Sequence, residues 1–172
     1  MKSNMLTFNH LQAVDYLNHT KRNNQIYIYK FDVDVVYRRG KHDDEQIGKV
    51  RYREDSRPQK IYNKKTNSER DKKNDVVTFK IPNSSDLFVL ARSGGVSLFD
   101  GISSKVSLTK NDCWWVITKE AKLAEGLVIA KDLFADKEGN VHYSIEPDRD
   151  MLLSEYIEKL EELKKYMKKR FV

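Results

Sequence analysis

The stretch QIYIYKFDVDVVYRRG, residues 25–40, decides the fold class of this chain. Aromatic and β-branched residues occupy every second position from Tyr27 to Val35, an alternation that is typical of a β-strand with one buried face. Polar residues occupy the other positions toward Asp34. The pattern therefore predicts one long strand, or two strands joined by a bulge near Asp34, ending at Gly40.

Further apolar runs predict the rest of a sheet. Each is short, rich in β-branched or aromatic residues, and bounded by turn-forming residues, which delimit strands in sequences. Pro147 closes the last run, because proline cannot continue a central ladder. The predicted strands lie within DVVTFKIP (75–82), DLFVLARSGG (86–95), DCWWVIT (112–118), LVIAK (127–131) and VHYSIEP (141–147).

Both ends of the sequence predict amphipathic helices. In residues 7–24, the apolar positions that would share one helical face are Phe8, Leu11, Val14 and Leu17. From Asp150 onward, apolar residues recur at spacings of three and four, which predicts a long C-terminal amphipathic helix. Its last two turns are rich in Lys and Arg, which suit the negative end of a helix dipole. A helix, then strands, then a helix indicates the α+β class.

The segment between the first strand and the others is polar and charged. Residues 41–75 offer few side chains to a core, so they predict a long mobile loop with one helical turn or one short strand. We expect a single domain over residues 1–172. Its parts would be an N-terminal helix and arm (1–24), the long polar loop (41–75), and the sheet core with the C-terminal helix (76–172).

The composition is that of a soluble globular protein, with 39% hydrophobic and 34% charged residues. The net charge of +6 is spread along the chain among acidic residues, so it permits a nucleic-acid or acidic protein partner without requiring one. The single cysteine, Cys113, excludes a disulfide framework and a thiolate metal cluster. No apolar run approaches the roughly 20 residues of a membrane helix and no secretory signal is present. We therefore expect no membrane partner, and folding in the cytoplasm.

Common catalytic motifs are absent from the sequence. The four histidines, His10, His19, His42 and His142, lie far apart and do not share metal-ligand spacing, so no metal site is expected. The sequence has no P-loop, no nucleophile elbow and no dinucleotide fingerprint. The common hydrolase and NTPase classes are therefore not favoured.

Two short constellations remain as candidate site residues. The first is SGGVSLFD, residues 93–100, where paired glycines allow close backbone approach and a hydroxyl follows at Ser97. The second is the run His142-Tyr143-Ser144, in which alternation puts His142 and Ser144 on one face of a strand and Tyr143 on the other. Taken alone, each has an ordinary structural explanation, a turn and a hydrogen-bonded core histidine.

The order of several motifs is similar to that of a toxin family. SGGVSLFD, then WWVIT, then GLVIAKD, then VHYSIEPDRDM before a terminal amphipathic helix resembles the type VI secretion effectors called type six exported effector two. The resemblance covers residues 92–172 and, more loosely, the strand at 26–31. It implies a fold like ADP-ribosyltransferase toxins, a split β-sandwich around an NAD cleft. It also implies a toxin that acts in the bacterial cytoplasm unless an immunity protein blocks it.

The resemblance also assigns roles by position. The functional hydroxyl of the family falls on Ser97, preceded here by Val96 where the family tends to have another hydroxyl, and the functional histidine falls on His142. Transferases of this fold bring a first-strand arginine to the NAD diphosphate, since a planar bidentate donor fits phosphate oxygens. The best-aligned residue is Lys30, so either Lys30 or Arg38 would take that role. Glu146 is the nearest candidate for the catalytic glutamate.

The remaining assignments concern how NAD would be held. The resemblance implies that Gly94, Gly95, Val96 and Ser97 contact the nicotinamide ribose and that His142 bonds a ribose hydroxyl. Tyr143 or Phe99 would stack on the nicotinamide. Glu146 would stabilise the oxocarbenium-like centre left when nicotinamide departs. The target would be an unidentified macromolecule or NAD itself.

Two kinds of partner follow from these readings. A cognate immunity protein would cover the cleft, and an acidic one would complement the +6 chain. The alternative function is a non-catalytic basic module whose 41–75 segment and terminal helix bind an acidic protein or RNA. Its contact residues would be Arg51, Tyr52, Arg53, Arg57, Lys60, Tyr62, Lys64 and Lys65.

Overall fold

The computed structural model contains two α-helices and thirteen strands in the residues that it describes. Those residues are 7–20, 24–53, 60–71, 74–102, 104, 106 and 108–170. The helices are α1 (His10–Thr20) and α2 (Leu153–Glu161), and a 3-10 turn (Glu162–Tyr166) follows α2. The strands are β1 (Gln25–Ile28), β2 (Val35–Lys41), β3 (Tyr52–Arg53), β4 (Lys60–Asn63), β5 (Ser68–Asp71), β6 (Val76–Phe79), β7 (Phe88–Val89), β8 (Val96–Phe99), β9 (Asp112–Thr118), β10 (Leu127–Asp132), β11 (His142–Pro147), β12 (Met151–Leu152) and β13 (Met167–Lys169).

The largest sheet has seven antiparallel strands in the order β1-β10-β11-β8-β2-β9-β13. Strand β2 pairs with β9 from Val35 to Lys41, but it pairs with β8 only where Tyr37 faces Phe99. The backbones of β2 and β8 therefore diverge beyond this pair. Strand β8 is held on its other side by β11, and this side of β8 carries the candidate site.

A second sheet has four strands in the order β12-β7-β6-β3, in which only the β3–β6 pair is parallel. Both sheets and α2 supply buried side chains to one core, including Val96, Ile117 and Ile145 from the large sheet, Val76 and Val89 from the small one, and Tyr156 and Leu160 from α2. The molecule is thus α+β with mostly antiparallel sheets. No helix among the described residues has the length and apolar character to span a membrane.

The N-terminal helix is shorter than the predicted 7–24 segment, and three of the four predicted apolar residues, Phe8, Val14 and Leu17, lie in or against one core cluster. Phe8 is buried but precedes the helix, and Ala13 is the buried residue within it. Leu11 is 78% exposed. The predicted apolar face is therefore confirmed at Val14 and Leu17 and wrong at Leu11.

Residues 25–40 form two strands rather than one, and the predicted bulge is wrong. Strand β1 is at one edge of the large sheet and β2 lies beyond three other strands. In the connection between them, buried and exposed residues still alternate. Phe31 packs into the core, while Asp32 pairs with Lys131 and Asp34 pairs with Lys119. Alternation of burial therefore continued through a segment that is not a strand.

The C-terminal helix is much shorter than the sequence predicts. Helix α2 ends at Glu161, and after the 3-10 turn the chain runs as β13 along β9, with Met167 opposite Ile117. Met167 is buried and Lys168 is exposed, so a strand buries the same apolar residue that the predicted helix would have buried. Lys164 supports the turn through ion pairs with Glu45 (3.2 Å) and Glu161 (2.7 Å) rather than through a helix dipole.

The segment predicted as a long polar loop carries three short strands. Within residues 41–75, β3 joins the small sheet and β4 pairs with β5 as an exposed hairpin, and Ile47 is fully buried. Arg57, one of the proposed basic contacts, lies outside the described residues.

The different burial of two leucines gives a test of the packing. Leu163→Ala should lower the free energy of unfolding by about 2–5 kcal/mol, because Leu163 is fully buried in the main core. Leu11→Ala should change it by less than about 0.5 kcal/mol, because that side chain is largely in solvent. Urea denaturation of both variants measures the difference, and equal losses would contradict the placement of the two side chains.

Candidate functional site

A cleft of about 630 Å³ opens over one face of β8 and β11. This volume lies within the range of about 300–1,000 Å³ that is usual for ligand sites. Six of the residues predicted to bind NAD or to act in catalysis line it: Gly94, Gly95, Ser97, Phe99, His142 and Glu146.

The register of β8 and β11 explains why these residues meet. Ser97 lies opposite Ser144, and Phe99 lies opposite His142. Because alternate residues of a strand share a face, Ser97, Phe99, His142, Ser144 and Glu146 all face the cleft. The residues between them face the hydrophobic core.

Ser97 and His142 form a hydrogen-bonded pair that a third residue extends. The Oγ atom of Ser97 lies 2.9 Å from Nε2 of His142, and Nδ1 of His142 lies 3.4 Å from Oδ2 of Asp132. Asp132 ends β10, and its Oδ1 accepts a hydrogen bond of 2.8 Å from Nε2 of Gln25 on β1. Four neighbouring strands thus contribute to one row of polar side chains.

The neighbours of His142 determine which of its two ring nitrogens carries the proton. A carboxylate beside Nδ1 favours the tautomer that carries its proton there, which leaves Nε2 as an acceptor for the Ser97 hydroxyl. The His142 ring also packs on Phe99, with centroids 5.2 Å apart. The arrangement can therefore orient an imidazole and draw a hydroxyl proton toward Nε2. Sequence reasoning missed Asp132, although its place at the end of the strand preceding His142 was a usable signal.

Glu146 forms a buried carboxylate in the wall of the cleft. It is 3% exposed, and its Oε1 accepts a hydrogen bond of 2.7 Å from Oγ of Ser144. The pKa values of Tyr27 and Tyr156 are raised, first by the burial of the two phenols and second by the negative charge of Glu146. A carboxylate held in this way is placed to stabilise positive charge in the cleft.

Two arginines on the walls of the cleft were not predicted as site residues there. Arg92 ends a turn with φ of 51°, lies 4.3 Å from the ring centroid of Tyr27, and pairs with Asp148 at 2.7 Å. Arg51, expected only as a basic surface contact, makes a two-point bond with Asp75 (3.3 and 2.8 Å). Both arginines line the cleft, and in each the Nε and Nη2 atoms of the guanidinium are engaged by a carboxylate.

Four of the predicted cofactor contacts lie elsewhere. Lys30 is exposed after β1, and it does not line the cleft. Val96 and Tyr143 are buried on the core face, where the Tyr143 hydroxyl donates to Asp32 at 2.8 Å, so this ring cannot stack on a ligand in the cleft. Arg38 lies behind β8 and lines a neighbouring pocket.

The paired glycines are required by the protein's own backbone rather than by a ligand. A Cβ on Gly94, which has φ of +118°, would lie 2.1 Å from the carbonyl oxygen of Asp75. A Cβ on Gly95 would lie 1.9 Å from the carbonyl oxygen of Ile145. The glycines therefore bring β8 close to β11 and to the start of β6, and only as a consequence do they shape the cleft.

The part of the chain that the structure describes contains no group of three His, Cys, Asp or Glu side chains that could hold a metal ion.

Comparison with protein families finds a match over nearly the whole chain. The family model described as Tse2 ADP-ribosyltransferase toxin matches residues 16–172. This span includes all thirteen strands and every cleft residue discussed above. A search of curated proteins finds no match to the chain.

The close approach at Gly95 can be tested against a glycine in open space. Gly95→Ala should destabilise the protein by about 3 kcal/mol or more, because the methyl group would collide with backbone that cannot move aside. Gly139→Ala should cost only about 1–2 kcal/mol, because φ is +81° there but no atom lies within 4 Å of the added carbon. Thermal and urea unfolding would measure both, and an equal or smaller effect at Gly95 would contradict this explanation of the glycine pair.

Proposed function

The chain belongs to the Tse2 ADP-ribosyltransferase toxin family, and from this premise we propose that it is an antibacterial toxin that binds NAD in the cleft of β8 and β11. The observation that carries the proposal is the Ser97–His142 pair beside the buried carboxylate of Glu146. The seven-stranded and four-stranded sheets would then be the two halves of a split β-sandwich.

The residues of the cleft suit a dinucleotide. Arg51 and Arg92 offer guanidinium groups for a diphosphate, and among the described residues neither has a hydrogen-bond partner at Nη1. Phe99 offers an aromatic ring, while Ser97 and His142 offer hydrogen bonds to ribose hydroxyls. These contacts replace the roles proposed for Lys30 and Tyr143.

The chemistry that NAD supplies is the heterolysis of a glycosidic bond. With NAD bound, nicotinamide would leave with the bonding electron pair, and an oxygen or nitrogen of the acceptor, or of water, would bond to the ribose carbon and lose its proton to a base. Glu146 stabilises the positive charge that develops on the ribose. Nε2 of His142 accepts a proton shared with Ser97 or with a ribose hydroxyl, and Asp132 keeps the ring in the required orientation.

The biological setting is part of the same proposal. Family membership supports delivery by a type VI secretion machine into the cytoplasm of competing bacteria, where the target is a macromolecule or NAD itself. The producing cell would need a cognate immunity protein, and an acidic one would associate rapidly with a chain of +6 charge.

Expression in a bacterial cytoplasm tests the proposal. Ser97→Ala and His142→Ala should each lower the activity by a factor of about 10²–10⁴, because each removes one member of the hydrogen-bonded pair. Growth and intracellular NAD are measured together: a fall in NAD indicates turnover, and arrest at normal NAD indicates modification of a target. The exposed residues Ser154 and His42 supply matched controls, Ser154→Ala and His42→Ala. Full toxicity in well-folded Ser97→Ala and His142→Ala proteins would refute the proposal.

The role of Asp132 has a separate signature. Asp132→Asn should lower activity about 10²-fold or more, because an amide beside Nδ1 no longer favours the proton there. Nitrogen NMR of His142 should show the proton shifted toward Nε2, a change that a merely structural role would not produce. Asp34→Asn, at a largely exposed carboxylate paired with Lys119, is the matched control. An unchanged His142 tautomer in the Asp132 variant would contradict the positioning role.

A further inference from the structure

A second pocket, of about 280 Å³, lies next to the cleft and is strongly basic. We refer to it as the basic pocket. Five cationic side chains line it: Arg38, Arg39, Lys41, Lys49 and Arg51. It lies just under the range of about 300–1,000 Å³ for ligand sites, which suits a group smaller than a dinucleotide.

The two carboxylates in this pocket do not neutralise it. Asp112 pairs with Arg39 at 2.9 Å and with Lys41 at 2.5 Å, and these cations with hydrogen bonds from Thr109 hold the pKa of Asp112 well below its usual range. Asp75 pairs with Arg51 at 2.8 Å. Five positive and two negative side chains leave an excess of three positive charges.

Arg38 is the most deeply placed of these cations. Its Nη1 donates to the carbonyl oxygen of Ser97 (3.1 Å) and its Nη2 to that of Gln46 (2.8 Å). Among the described residues no carboxylate lies within ion-pair distance of it, and its buried Nε has no hydrogen-bond partner. Burial lowers the pKa of this guanidinium. A charge in such surroundings is stabilised by an anion, and Arg forms strong bonds with phosphate.

The basic pocket and the cleft share three lining residues, Ser97, Arg51 and Asp75. The Oγ of Ser97 bonds to His142 in the cleft, while its carbonyl oxygen accepts the bond from Arg38. The space for Arg38 exists because β2 and β8 pair only at Tyr37 and Phe99. A ligand bound at Arg38 would therefore be next to the reacting centre, with the shared Arg51–Asp75 pair between it and the NAD site.

We propose that the basic pocket binds a phosphate group of a nucleic-acid strand that accepts ADP-ribose, an inference that rests on the proposed function. Arg51 and Arg92 already serve the NAD diphosphate in that function, so Arg38 is available for a second anion. Arg39 and Lys41 have side chains that are 45% and 40% exposed, and Lys49 is exposed as well. They carry positive charge outward from the pocket, which suits a strand with one phosphate per nucleotide better than a protein with one phosphorylated side chain.

The test measures RNA binding and NAD binding separately on the full chain. The RNA probe is a short, 5′-phosphorylated, fluorescently labelled single strand, followed by anisotropy across a salt series, and NAD is followed by calorimetry without RNA. Arg38→Gln should weaken RNA binding about tenfold and reduce the salt slope by about one, while NAD affinity stays within about twofold. Lys49→Gln, an exposed change that spares the fold, should weaken RNA binding about threefold in the same way. Lys122→Gln, at an exposed position between β9 and β10 whose sequence neighbours line neither pocket, should change neither.

Several outcomes would overturn the inference. These are unchanged RNA binding in Arg38→Gln and Lys49→Gln, a tenfold loss of NAD affinity in Arg38→Gln with RNA binding intact, and Arg38-dependent binding of a phosphoserine peptide that is tighter than that of RNA. Wild-type protein that binds RNA through Arg38 but does not bind NAD would count against the proposed function alone, because the RNA measurement contains no NAD.

Discussion

The contact between the Gly95 backbone and the carbonyl oxygen of Ile145 is the constraint on which the site depends. It permits β8 to lie against β11 in the register that places Ser97 opposite Ser144 and His142 opposite Phe99. Since strand faces alternate, this one register sends the polar residues to the cleft and the residues between them into the core. A shift by one residue would exchange the two sets, so the chemistry of the cleft and the stability of the core are specified by the same pairing.

The same sheet must also hold charges in poorly hydrated places. Glu146 is buried with a hydrogen bond from Ser144, and Arg38 is half-buried with bonds to two carbonyl groups. Taking a charge out of water is costly, and groups held in this way are often found at sites of binding or catalysis. The two charges have opposite sign and lie on opposite sides of Ser97's strand, so the molecule offers a site for developing positive charge and another for an anion.

The α+β class and the strands that carry the two motifs, β8 and β11, could be predicted from the sequence. Alternating apolar residues and turn-forming glycines are patterns of consecutive residues, so they are visible without the structure. Ser97, His142 and Glu146, which the sequence predicted as site residues, are brought to one cleft by the register. The length of the C-terminal helix was not predictable in this way, because Leu163 and Met167 satisfy helical spacing and yet the latter pairs with Ile117 in a strand. Partnership between distant segments, such as Asp132 with Gln25, has no local pattern at all.

The positions of the arginines in the cleft were not predicted for the same reason, because they depend on contacts between distant segments. A first-strand arginine was expected, and β1 has none in the cleft; instead the guanidinium groups of Arg51 and Arg92 come from the segments that precede β3 and β8. Each is fixed by a carboxylate, Asp75 or Asp148, so a loop-borne arginine here is as well oriented as one on a strand. An anionic ligand needs hydrogen-bond donors that are held in place. An ion pair with a carboxylate from a distant segment can hold an arginine in place even when that arginine is not on a strand.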